Sequence, residues 1–138
     1  MYSIVPATEW AITQGANVLS CSLGRNTSRE LGSLAQYYDH VVWSNHLTVV
    51  AAAGNDGIVE SPGLAYNVIA VGAFDDRDTP IWTDDAMLGN SGYNDPISQH
   101  GDREKPEVAA VGAGMISTST ASPWVGYCND FGTSFATP

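Results

Sequence analysis

The sequence predicts an α/β domain in which helices flank a mainly parallel sheet. Three observations carry this. Two continuous apolar runs rich in β-branched residues, 47–53 and 67–74, have the character of strands buried on both faces. A shorter apolar run, 17–23, precedes them. It is joined to the first of the two by an amphipathic stretch at 28–45. Strand, helix and strand with a short return make a βαβ unit, which is almost always right-handed and parallel.

Taken in order, residues 7–14 read as a short helix carrying Trp10, Ala11 and Ile12, with Gly15 ending it. Residues 17–23 form the first strand, broken by Gly24. Across 28–45, Leu31, Leu34, Ala35, Tyr38, Val41 and Val42 recur at the spacing of one buried helical stripe. Ser28 opens that helix and Glu30 sits in its first turn, where a negative charge is favoured. The strand at 47–53 stops at Gly54, and 67–74 repeats its character. Residues 75–102 are rich in Gly, Pro, Asn and Asp and predict loops. Two further short strands are expected at 107–111 and 115–119. No repeat, linker or low-complexity tract divides the chain, so its 138 residues read as one domain-sized segment.

Composition narrows the function. Hydrophobic residues make up 43% and charged residues 14%, a globular rather than a disordered balance. Five Lys and Arg stand against fifteen Asp and Glu, for a formal net charge of −10. Such a protein repels phosphate backbones, so nucleic acid is not an expected partner. No apolar run reaches the roughly 18–20 residues that span a bilayer, so no membrane partner is expected. The first residues lack the basic region and apolar length of a signal peptide. Low charge density and an acidic balance suit a secreted protein, whose export signal would then lie upstream. Cys21 and Cys128 can pair or stay free; with no Cys-x-x-Cys and no Cys/His cluster, zinc is not expected. Asp75, Asp76, Asp78, Asp84 and Asp85 leave a calcium site open without EF-hand spacing, the alternative being a solvated loop. No other cofactor is expected.

Gly24 and Gly54-Asn55 end consecutive parallel strands, so both lie at the carboxyl edge of the sheet, where open α/β sheets place ligands. The last residues, Gly132-Thr133-Ser134-Phe135-Ala136-Thr137-Pro138, set a hydroxyl at the opening of a helix. Gly132 permits a tight turn, and Ser134 has N-cap chemistry. The free N–H groups and positive end of such a helix favour an anion developing beside the hydroxyl. Acyl transfer by a serine nucleophile requires that anion. Each piece also has an ordinary alternative. Ser134 can merely cap a helix, Asn55-Asp56-Gly57 is a strong turn signal, and Ser22-Leu23-Gly24 is a plain strand end.

The joint pattern resembles the subtilisin-like serine proteases. Residues 132–138 resemble that family's nucleophile motif, Gly-Thr-Ser-x-Ala-x-Pro. Val50-Ala51-Ala52-Ala53-Gly54-Asn55 resembles the strand bearing its oxyanion-hole Asn. Val18-Leu19-Ser20-Cys21-Ser22-Leu23-Gly24 resembles its substrate-binding strand. Val68-Ile69-Ala70-Val71-Gly72-Ala73 and Lys105-Pro106-Glu107-Val108-Ala109-Ala110 match two more segments, and the five occur in family order. The resemblance implies part of a three-layer subtilisin-like domain. It implies Ser134 as nucleophile, with Asn55 and the Ser134 N–H as oxyanion donors. It also implies Ser22, Leu23 and Gly24 as one wall of a peptide-binding cleft and Ala52, Ala53 and Gly54 as the other. Glu60 falls near the floor of the pocket for the residue preceding the cut bond, where a carboxylate favours a basic side chain.

The resemblance equally defines what the chain does not hold. The family's Asp and His motifs precede the substrate-binding strand, so the expected partner is an upstream half of the same domain. The long helix that follows the Ser in the family lies past Pro138, which would leave apolar surface uncovered. His100-Gly101 lies in the wrong place for the family's His-Gly motif, and Val111 stands where the family has Pro. His40 and His46 read as surface or capping residues at the end of the long helix. An endopeptidase is therefore expected of the complete protein and no more than trace activity of this segment. The alternatives are a degenerate fold that only binds peptides, and an α/β-hydrolase. The second lacks the final Gly of its Gly-x-Ser-x-Gly elbow, since Ala136 stands there, and needs its acid and His after the Ser.

Overall fold

A computed structural model describes residues 4–27, 31–93, 104–118 and 126–138. The elements run α1 (Ile4–Thr13), β1 (Val18–Cys21), α2 (Ser33–Asn45), β2 (Thr48–Ala52) and β3 (Ile69–Asp75). A 3-10 turn (Trp82–Asp84), β4 (Ala86–Met87), β5 (Val108–Val111), β6 (Met115–Thr118), β7 (Tyr127–Asp130) and α3 (Thr133–Ala136) follow. The α/β class with a mainly parallel sheet is what the sequence predicts.

Strands β1, β2, β3 and β5 pair in parallel, with Cys21 beside Ala51 and Ala51 beside Ala70. Phe74 is paired on both sides, by Val111 of β5 and antiparallel by Met87 of β4. Short β4 thus takes over the flank of β3 that β2 vacates beyond Ala52. Alternation along each strand sends side chains to two faces. Leu19, Cys21, Val49 and Ala51 meet α1 and α2 through Ile4, Ile12, Ala35, Tyr38 and Val41. Val50, Val71, Ala73 and Ala110 meet Ala136 of α3 on the other face. The Tyr38 hydroxyl is hydrogen-bonded to Thr8 Oγ1 at 2.8 Å, tying α1 to α2. Cys21 and Cys128 are both free, and burial pushes the Cys21 thiol up against an opposing hydrogen bond to Tyr38.

Several boundaries differ from the sequence reading. The first helix starts at Ile4, because Pro6 falls in its first turn, where a missing N–H costs nothing. The second starts at Ser33 rather than 28: Gly32, in extended conformation, occupies the N-cap position. Ser28 and Glu30 lie outside the described residues, as do His100, Gly101 and Ser119. That helix ends at His46 in the left-handed conformation, and His40 pairs with Ser44 one turn away. The stretch 75–102 contains β4 and the 3-10 turn, and β7 pairs with β6 where no strand was expected.

One buried cation fastens the loop between β2 and β3. Lys105 is fully buried, and its Nζ donates to the carbonyls of Ala65 and Val68 at 2.8 Å each. It pairs with Glu107 Oε1 at 2.6 Å, and Glu107 Oε2 accepts from Ala70 N–H. Lysine is rarely buried without partners, and here two carbonyls and a carboxylate supply them.

Candidate active site

The carboxyl ends of β1 and β2 and the last turn of the chain meet in one place. β2 runs out at Ala52, and Ala53, Gly54 and Asn55 continue from it. Ala52, Ala53 and Gly54 are buried, while Asn55 is exposed. Gly54 has φ 109°, a conformation that disfavours any residue with a Cβ. Thr133, in α3, clamps this corner. Gly54 N–H donates to Thr133 Oγ1 at 3.1 Å, and that hydroxyl donates to Asn55 Oδ1 at 3.1 Å. Thr133 N–H donates to the same Oδ1 at 2.9 Å. A backbone N–H can face only the amide oxygen, so the orientation of the Asn55 amide is settled. Its Nδ2 is left with no acceptor among the described residues.

Gly132 precedes the clamp with φ 140°. A Cβ there would come to 3.2 Å from Asn55 Oδ1, so the bare backbone is what lets the amide sit against the turn. Ser134 follows Thr133 inside the single turn of α3. It is not the helix cap: Gly132 holds the N-cap position, and no side chain caps it. The Ser134 hydroxyl instead donates to the Ser22 carbonyl at 3.3 Å, across 112 residues of sequence. Ser22, Leu23 and Gly24 are all exposed, and they lie beside this hydroxyl at the end of β1. The nine residues to which the sequence points thus gather at one sheet edge, with Glu60 in the gap between the two strand ends.

Glu60 is held by its own backbone, whose N–H donates to Ala53 O at 2.8 Å, while Ser61 pairs with Arg25 beyond Gly24. Its half-buried side chain fills the space that Gly24 and Gly54 leave open. A methyl group at Gly24 would overlap the carboxylate, and one at Gly54 would lie 2.7 Å from Glu60 Cγ. Burial pushes the Glu60 carboxyl up, and the nearby Asp56 charge adds to the rise. A carboxyl raised in this way supports the fold while protonated. It loses that support as pH climbs through its folded value.

Two supports were not anticipated. Gly92 N–H donates to Gly54 O at 2.8 Å and Gly57 N–H to Asn90 O at 2.9 Å, so segment 90–92 backs the Asn55 loop. Thr133 stands in the Gly-Thr-Ser string, but nothing local says that its hydroxyl reaches back to Asn55. The loop aspartates, for which the sequence leaves both a calcium site and a solvated loop open, bond within their own loop: Asp75 Oδ1 accepts from Arg77 N–H, Asp76 Oδ1 from Asp78 N–H, and Asp84 from Thr79 Oγ1. No group of three or more His, Cys, Asp or Glu able to hold a metal ion occurs among the described residues. His40 and His46 stay on α2, and neither hydrogen-bonds Ser134. No described helix is long and apolar enough to cross a membrane.

Serine protease AprX of Bacillus subtilis is 29% identical over 168 aligned residues, which cover 98% of this chain and 36% of AprX. Pyrolysin of Pyrococcus furiosus is 33% identical over 166, covering 100% of this chain and 11% of pyrolysin. Among solved structures, the patellamide maturation protease PatA superposes with a TM-score of 0.72 at 28% identity, covering 98% of this chain and 45% of PatA. The chain therefore spans about a third of AprX and under half of PatA. A model of the subtilase family matches residues 1–138, and on that match from end to end the chain belongs to the subtilases, the subtilisin-like serine proteases.

Proposed function

We propose that this chain is the nucleophile-bearing part of a subtilisin-like serine endopeptidase. The observation that carries the reading is the Thr133 clamp, which joins an oriented Asn55 amide to the residue next to Ser134. On this reading Ser134 Oγ attacks the scissile carbonyl carbon, and its proton passes to a histidine supplied by sequence outside this chain. The carbonyl oxygen, now an anion, is met by Asn55 Nδ2 and the Ser134 N–H. Collapse of the tetrahedral species breaks the C–N bond and returns the proton to the leaving amine. Water then hydrolyses the acyl ester. An extended protein or peptide substrate adds as a strand between 22–24 and 52–54. No cofactor takes part, and the acidic, charge-poor composition fits a secreted enzyme.

Among the described residues the Ser134 hydroxyl donates to the Ser22 carbonyl alone, which is no base at neutral pH. The chain on its own is therefore expected to give trace hydrolysis of a chromogenic peptide at most, and the complete protein robust hydrolysis. Treating the complete protein with a fluorophosphonate should add one phosphonyl group at Ser134, read by peptide mass. Absence of both hydrolysis and adduct would leave a peptide-binding module as the better account.

Thr133→Val removes the clamp's hydroxyl but keeps its shape. Turnover is expected to fall about 10- to 100-fold through misplacement of the Asn55 amide. The loss should appear in kcat rather than KM, because the amide meets charge that exists only in the transition state. Thr133→Ser should restore it, and equal loss in both variants would assign Thr133 a packing role alone.

A further inference from the structure

The protease reading requires the Asn55 amide to hold still at an exposed position, on a loop poorly suited to that task. Asn55 and Asp56 stand between Gly54, with φ 109°, and Gly57, with φ 73°. Glycine at both ends gives such a stretch more freedom than other residues would. Thr133 fixes the far end of the Asn55 side chain through Oδ1. The backbone at its near end is fixed from elsewhere. Gly92 N–H donates to Gly54 O at 2.8 Å, and Gly57 N–H donates to Asn90 O at 2.9 Å. These two hydrogen bonds bracket Asn55 and Asp56, one on each side. The Gly54 carbonyl belongs to the peptide unit that ends in the Asn55 nitrogen, so the first bond sets the direction in which Asn55 leaves the strand.

Segment 90–92 is in turn tied to the middle of the sheet. β2 pairs with β3 as far as Ala52, beside Val71, and Ala53 N–H still reaches Val71 O at 2.9 Å. Past that point β2 has gone, and the turn 88–91 takes its place against Ala73. Leu88 N–H donates to Ala73 O at 3.0 Å, and Ala73 N–H donates to the buried Ser91 Oγ at 3.0 Å. Gly92, also buried, then lies flat on the Asn55 loop. A Cβ there would come to 2.5 Å from Ala53 O and 2.6 Å from Ile58 O, backbone atoms on either side of that loop. The φ of Gly92 is outside the left-handed region, so the contact itself, and not a turn, excludes a side chain.

We propose that Ser91 and Gly92 are positioning residues for the oxyanion amide. Ser91 anchors the segment to β3, and Gly92 passes that rigidity to the Gly54 carbonyl and so to Asn55. Both act through Asn55 and not on the substrate. The role rests on the protease reading, because the place of Asn55 Nδ2 matters only if an anion forms beside it. A shift of about 1 Å, even one that originates far from the chemistry, can cost about 100-fold in rate. The cost falls on turnover and not on affinity, since the anion exists only in the transition state.

The test is made on the complete protein with a chromogenic peptide. Gly92→Ala is expected to lower kcat about 100-fold and Ser91→Ala about 10-fold, with KM changed less than about threefold. Each substitution is then combined with Asn55→Ala, which removes the amide that the pair positions. In that background the same substitutions should cost less than about twofold, because residues that act as one unit are not additive. Thermal unfolding followed by circular dichroism identifies the folded variants. Ser91→Ala deletes a single oxygen and carries the test if Gly92→Ala does not fold. Equal losses with and without the Asn55 amide, a loss confined to KM, or an unchanged kcat in folded Ser91→Ala overturns the positioning role while the protease stands. Failure of Ser91→Ala to fold overturns it too, since the pair would then serve the sheet alone. A wild-type protein that neither hydrolyses the peptide nor takes a fluorophosphonate at Ser134 removes the protease reading, and the positioning role with it.

Discussion

Ser134→Ala in the complete protein is expected to abolish turnover while leaving substrate affinity nearly intact. The oxygen it removes is the one that forms the acyl bond, so the loss belongs to kcat. In subtilisin itself, loss of the nucleophile costs about 10⁶-fold in kcat, and that is the scale to expect here. What survives should come from the Asn55 amide and the cleft walls, which still hold a peptide and polarise its carbonyl. Steady-state kinetics on a chromogenic peptide, with isothermal titration of the same peptide to measure affinity, would check both halves. If the Ala variant kept more than about a hundredth of the activity, Ser134 would not be the nucleophile, and attack would have to come from elsewhere. Its hydroxyl makes one long hydrogen bond, to Ser22 O, so removing it should cost little stability.

Lys105→Met should instead unfold the protein more easily without touching the cleft. The Ala65 and Val68 carbonyls and the Glu107 carboxylate converge on that ammonium. Methionine fills the same channel but donates nothing, so the Ala65 and Val68 carbonyls and the Glu107 carboxylate each lose the Lys105 ammonium. Breaking one side of a buried pair costs about 3–5 kcal/mol. Urea unfolding followed by circular dichroism measures it directly. Adding Glu107→Gln should recover part of the loss, because a neutral amide no longer needs the cation. A cost below about 1 kcal/mol for Lys105→Met would mean that the loop between β2 and β3 is held by its apolar contacts, Leu64, Ala65 and Val68.

The sheet was legible because its signal is local. Runs such as 47–53 are apolar on both faces, and only a strand covered on both sides tolerates that. The helix stripe at 28–45 was legible for the same reason, but its beginning was not. Gly32 interrupts at a point where Leu31 still fits the periodicity, so spacing alone runs through the stop. Strand β4 has two residues and β7 carries Asn129 and Asp130, so neither shows an alternating pattern. Asn55 and Ser134 were named from short motifs, whereas Thr133 was not given a task. Its bonds to Asn55 span 78 residues, and no window of sequence contains both ends. Lys105 escaped because residue type argues for the surface, and only the placement of the Ala65, Val68 and Glu107 oxygens argues otherwise. Glu60 was suspected from its position; its lack of a counter-charge is visible only in three dimensions.

The long reach of the clamp has a bearing on biosynthesis. Asn55 and Thr133 stand 78 residues apart, and Ser22 and Ser134 stand 112 apart. A ribosome therefore extrudes every strand of the sheet before it releases the hydroxyl or the turn that steadies the amide. On the protease reading, a nascent chain cannot cut itself or its neighbours during translation. Chain order alone withholds the nucleophile until the strands that bear the amide and the cleft walls have been made.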